Sequence, residues 1–208
     1  AGGTNRKVTA SRIKTYAGGA STLAAMTDVS MDITNYVDGI LIQTDTDGSA
    51  PGTGTLDSAT GNIGIGKDVF AALTTGDKNV AIGYNALDVN TTGGYNVAIG
   101  NEAMGANTTG QNNIAIGQEP LDNCDTENDN IAIGGAALGG VIAGGESNTC
   151  IGHQAGAAVT TGDNNVMIGR QTGVASTTGT NNVYVGRNAA YGMIDGDQNV
   201  ILVLKQIM

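Results

Sequence analysis

The chain has no tryptophan, one phenylalanine (Phe70) and 3% aromatic residues among 208, against 34 glycines. So few large apolar side chains can fill only a thin core, although the length would allow a sizeable one. The single histidine, His153, sits in a column otherwise held by Lys67, Tyr84, Asn101, Gln118, Gly135, Arg170 and Arg187, a variable polar set. A catalytic histidine needs a partner and a pocket, and nothing marks either here. The two cysteines, Cys124 and Cys150, lack His or Cys neighbours at zinc-ligand spacing. No apolar run is long enough for a membrane-spanning helix. Cations are scarce and crowded forward: Arg6, Lys7, Arg12 and Lys14 are four of nine, and all 19 acidic residues follow them. Four charges without interleaved aromatics do not make a nucleic-acid site, and the acidic remainder repels a phosphate backbone. Catalytic, cofactor-binding, metal-binding and membrane-inserted readings all lack their residues.

What the chain does have is a repeat. Asn-[Val/Ile]-x-[Ile/Val]-Gly recurs, phased by Asn62, Asn79, Asn96, Asn113, Asn130, Asn148, Asn165, Asn182 and Asn199. Every interval is 17 residues except Asn130 to Asn148, which is 18. A register of this kind is one supersecondary unit stacked repeatedly, hence a solenoid. Val97 and Ile99 flank the small Ala98, the period of a β-strand in β-branched residues. Gly100 and its equivalents mark one turn, and Gly93 and its equivalents, three residues before each Asn, mark another. Two turns per coil predict two short strands of about five residues each and leave no room for a helix of ordinary length. The expected fold is an all-β, parallel β-roll or β-helix of 17-residue coils over residues 62–208, preceded by a separate module in residues 1–61.

Stacking places like residues over like, so each asparagine can bond its neighbour along a ladder and hold an Asx-type turn. Counting that asparagine as position 0, position +2 runs Gly64, Ala81, Ala98, Ala115, Ala132, Cys150, Met167, Tyr184 and Ile201. Position +8 runs Phe70, Leu87, Met104, Leu121, Leu138, Gly156, Gly173 and Ala190. One column grows where the other shrinks, and the exchange falls at the 18-residue coil. Reciprocal volumes indicate a shared packed space. With Val and Ile taken as inward, position +2 points away from its own core, so that space is expected between subunits. On this reading Phe70, Leu87, Met104, Leu121, Leu138, Met167, Tyr184 and Ile201 form the interface of a symmetric assembly.

The strings NVAIGYNAL (79–87), NVAIGNEAM (96–104) and NIAIGQEPL (113–121), with their TTG leads, resemble the head repeats of YadA-type trimeric autotransporter adhesins. They are similar also to repeats of phage tail and head fibres, and the likeness spans residues 62–203. The resemblance implies a left-handed parallel β-roll and a homotrimer. It leaves open a virion fibre or an adhesin head on a bacterial cell surface. Ala1 to Ala10 contain no apolar signal segment, no coiled-coil stalk or membrane barrel is present, and free cysteines suit a reducing cytoplasm. These features favour a phage virion fibre over the adhesin head. The basic arm of Arg6, Lys7, Arg12 and Lys14 is then expected to dock on an acidic capsid or tail protein. A host-surface glycan or protein receptor would meet variable loops, such as 122–129, or the distal tip. The tip is expected to be a cap, because Asn199 to Leu204 becomes continuously apolar and three converging chains would cover it.

Other readings compete. Thr pairs (Thr74–Thr75, Thr91–Thr92, Thr108–Thr109, Thr160–Thr161, Thr177–Thr178) suggest an ice-binding solenoid, but the array is broken at Thr126–Glu127 and Gly144–Gly145 and is explained by turn capping. Left-handed β-helical acyltransferases repeat an apolar hexad three times per coil, whereas Ile-Gly occurs here once. Asp45, Asp47 and Ser49 begin like a calcium loop, yet Gly48 is fourth and no Glu stands twelfth. Residues 20–26 suit a helical turn, and 39–44 a strand.

Overall fold

The computed structural model describes residues 59–203 and the backbone of one earlier strand, 40–42. Each copy of the repeat becomes a short strand because two β-branched residues favour extended backbone and the glycine after them ends it. The strands are β1 (Ile40–Ile42), β2 (Ile63–Ile65), β3 (Val80–Ile82), β4 (Val97–Ile99), β5 (Ile114–Ile116), β6 (Ile131–Ile133), β7 (Thr149–Ile151), β8 (Val166–Ile168), β9 (Val183–Val185) and β10 (Val200–Leu202). They form one sheet in sequence order, each pair parallel, with Val97 over Val80 and Ala98 over Ala81. This is a parallel β-solenoid, and at about 4.8 Å per rung β2 to β10 span about 38 Å. β1 pairs with β2, so the rung stack starts within residues 1–61. Arg6, Lys7, Arg12 and Lys14, together with residues 20–26 and 45–54, lie outside the described residues.

The coil differs from expectation in having one three-residue strand, not two strands of about five. Backbone dihedrals give the reason. Beyond the strand, positive φ recurs at alternate residues: Gly100 (134°), Glu102 (53°) and Met104 (54°) in one coil, Gly117 (143°), Glu119 (54°) and Leu121 (50°) in the next. Such a chain bends at every second residue and cannot extend. Its polar groups still find partners in adjacent coils, as with Glu102 N–H donating to Tyr84 C=O and Met104 N–H to Pro120 C=O.

The two faces of the strand are the reverse of those expected. Ala81, Ala98, Ala115, Ala132, Cys150, Met167 and Tyr184 at position +2 are fully buried, while the flanking Val and Ile are half-buried or exposed on the outer face. Phe70, Leu87, Met104, Leu121 and Leu138 are fully buried as well, so the proposed intersubunit residues are core residues of a single chain. Ile201 is partly buried against the same cluster. The physical reason is the period of two: the buried asparagine at position 0 sends position +2 inward and positions +1 and +3 outward. The reciprocal columns do share one space, inside the coil. A Cβ added to Gly173 would stand 2.5 Å from Met167 Sδ and 3.2 Å from Tyr184 Cδ2.

A double-mutant cycle tests that sharing. Met167→Ala should cost about 2–4 kcal/mol through its cavity, and Gly173→Leu should be destabilising through overpacking. Together they rebuild the Ala115–Leu121 arrangement of an earlier coil. The pair should therefore be less destabilising than the sum by at least about 1 kcal/mol in urea unfolding; additive losses would mean the columns do not touch.

Candidate interaction surface

Inside the coil the asparagines are fully engaged. Asn113 Oδ1 accepts the N–H of Asn130 (2.9 Å), Asn113 Nδ2 donates to Glu127 C=O (2.8 Å), and Asn113 N–H donates to Asn96 Oδ1 (2.9 Å). Asn62, Asn79, Asn130, Asn148, Asn165 and Asn182 repeat the arrangement, each bonding the next rung and a turn carbonyl of the next coil. Asn199, on the last rung, donates to Asn182. A shorter ladder of Asn90 and Asn107 runs beside it and stops where Cys124 takes the next rung, leaving Asn107 Oδ1 buried without a partner.

Segment 122–129, expected to be an exposed loop, is anchored in the core. Cys124 and Glu127 are buried, and Glu127 stands where the other coils carry the turn glycine. Its Oε2 accepts the N–H groups of Asp125 and Thr126 (3.0 Å each), and its Oε1 accepts that of Gly144 (2.9 Å) in the 18-residue coil. The break in the TTG pattern was the sequence signal for this carboxylate. The sequence suggested no structural role for it.

Reactive groups are muted. Cys124 and Cys150 are free and buried, and desolvation pushes both thiols well up from the ordinary range, with Glu127 adding to the effect at Cys124. The thiolate is the reactive form, so both are inert. His153 is exposed. Asp88, Glu102 and Asp122 border an open depression over Gly105 and Ala106. Burial first, and the surrounding carboxylates second, push the carboxyls of Asp88 and Asp122 up. No group of three His, Cys, Asp or Glu side chains among the described residues has metal-holding geometry. The first Thr of each pair is tied down, as in Thr91 Oγ1 donating to Thr108 C=O, which is turn capping.

What remains for interaction is the outer face of the sheet. Positions +1 and +3 are Val, Ile or Leu on every rung from β2 to β10 except at Thr149, so they form two apolar columns, of which only the +3 column is unbroken. Ile63, Ile65 and Ile168 are 38–39% exposed, and at the last rung Val200 and Leu202 reach 70% and 57%. Parallel sheets are found almost only with both faces covered, and their strands read as continuous apolar runs. Val-Ala-Ile, apolar on both faces, is such a strand. No family model, curated protein or solved structure matches the chain.

Proposed function

We propose that the protein is a non-enzymatic fibre component in which identical solenoids, three on the repeat resemblance, pack side by side through the outer Val/Ile stripe. The observation that carries this reading is the stripe itself. It is apolar but for Thr149 and runs the length of the shaft, with a repeat of one rung. Its best partner has the same period, and a second copy of the chain is such a partner. A rotation axis parallel to the shaft sets rung against rung and buries every stripe at once. A phage virion fibre is the setting that suits such a rod, with residues 1–61 mounting it on a capsid or tail protein. Free buried cysteines support assembly in a reducing compartment. A glycan or protein receptor on the host would then meet the distal coil, where Tyr191 and Ile194 stand exposed away from the stripe.

Light scattering should give a mass of three chains. Ile116→Asp, which puts a charge in the middle of the stripe, should reduce the mass to one chain while the strand signal in circular dichroism persists. Thr161→Asp, at an exposed turn, should leave the mass unchanged. A monomeric parent protein would sink this reading. An antibody to the shaft should decorate virions; decoration of bacterial envelopes instead would place the rod in an adhesin head.

A further inference from the structure

The flanks of the stripe carry charge in a pattern that the apolar contact alone does not require. On one side, at position +5, Arg170 and Arg187 occupy adjacent rungs, both exposed. Their backbones are about 4.8 Å apart along the stack, so two like charges are held together on a rod that is otherwise acidic. Neither has an ion pair among the described residues, where the single salt bridge within 4.0 Å is Lys67–Asp68. On the other side, at position −2, stand Glu146, Asp163 and Asp197 on the rungs of Asn148, Asn165 and Asn199. Asp163 and Asp197 each use Oδ1 to accept a backbone N–H from the coil before, those of Glu146 (2.8 Å) and Thr180 (2.9 Å). Glu146 and Asp197 are exposed and Asp163 half-buried, and none of the three has an ion pair among the described residues.

Resting on the side-by-side assembly proposed above, we propose that Arg170 and Arg187 of one chain pair with Glu146, Asp163 and Asp197 of the next, and that this pairing fixes the copies parallel and in register. Rotation about an axis parallel to the shaft involves no translation, so each rung meets its own height. The same rotation turns the +5 flank of one copy toward the −2 flank of its neighbour. Arg170 then faces Asp163, with Glu146 one rung before, and Arg187 lies between Asp163 and Asp197. A perpendicular two-fold, which would bury the apolar stripe equally well, puts each flank against itself reversed. The arginines would meet the end of the flank bearing Lys67 and Tyr84, and the acids would meet Asp77. The stripe holds copies together; the flanks choose between two ways of doing so.

Arg170→Glu with Arg187→Glu should weaken assembly about tenfold at low ionic strength, and less as salt rises. Adding Glu146→Arg and Asp163→Arg to that chain restores opposite charges facing position 170, with Asp197 still beside position 187, and should recover most of the parent affinity. An independent readout uses Thr75→Cys and Thr161→Cys, exposed sites five rungs apart, labelled with donor or acceptor while the buried native thiols stay unlabelled. Energy transfer should be stronger between copies labelled at the same site than between copies labelled at different sites. This comparison decides the matter if the fourfold variant does not fold. Unchanged assembly of the reversed variant, or stronger transfer between unlike sites, overturns the pairing while leaving the fibre standing. A parent mass of one chain overturns both.

Discussion

Gly117→Ala should destabilise the shaft by about 4 kcal/mol or more, a large loss for one added methyl group. Two costs combine. Gly117 has φ 143°, in a region that side-chain-bearing residues enter only at a cost of about 1–3 kcal/mol. An added Cβ would also stand 2.8 Å from the carbonyl carbon and oxygen of Gly134 in the next coil, and backbone cannot swing aside as a side chain can. The coils must part or tilt. Because each coil contacts only its neighbours, the damage should split the shaft at that rung, and urea unfolding should broaden or become two-step. Gly105→Ala is the control. Its φ is ordinary and its Cβ would meet nothing closer than 3.5 Å, so the shaft should be unaffected or slightly firmer. Equal stability of the two variants would refute the close approach of coils at position +4.

The second large effect is expected at the ladder. Asn113→Ala orphans the N–H of Asn130 and the C=O of Glu127 inside the coil, at about 2–4 kcal/mol for the pair. Asn113→Asp is more informative. The new carboxylate still accepts from Asn130, but it sets a second acceptor against Glu127 C=O and buries a charge. Its folded-state carboxyl should titrate above the ordinary value of about 3.9. With the folded value raised, the loss is greatest at neutral pH and shrinks as pH falls through that value, where the protonated oxygen donates as the amide did. Chemical denaturation at pH 7 and pH 4 should therefore bring Asp closer to the parent at the lower pH, while Ala shows no such change. Parallel pH profiles for the two variants would mean that Asn113 does not bridge the coils.

Much of the surface assignment was within reach of the sequence and was missed by one step. Asn96, Val97, Ala98 and Ile99 are consecutive, so a period of two that buries the Asn must also bury Ala98 and turn Val97 and Ile99 out. Hydrophobicity suggested the opposite, because large aliphatic residues are usually interior. The small residues won position +2 because Leu87, Met104 and Leu121 of position +8 already fill that space. The reciprocal volumes of the two columns were legible from the repeat register alone. Their placement in one chain was not, since equal complementarity would serve two chains. Glu127 was visible as an irregularity, yet its role depends on Gly144, which only the stacking of the following coil brings beside it.

By itself the sequence determined the rung. The 17-residue spacing, the β-branched pair, the asparagine and the glycine specify a parallel stack, because a strict period allows like residues to meet only along one axis. Tertiary structure alone decided what the rest of the coil does and which way the strand faces. Left-handed backbone at residues as large as Phe70 and Leu87 is unfavourable locally and invisible to propensity. It persists because the hydrogen bonds and packing of the coils on either side over-determine it, and those exist only once the stack has formed.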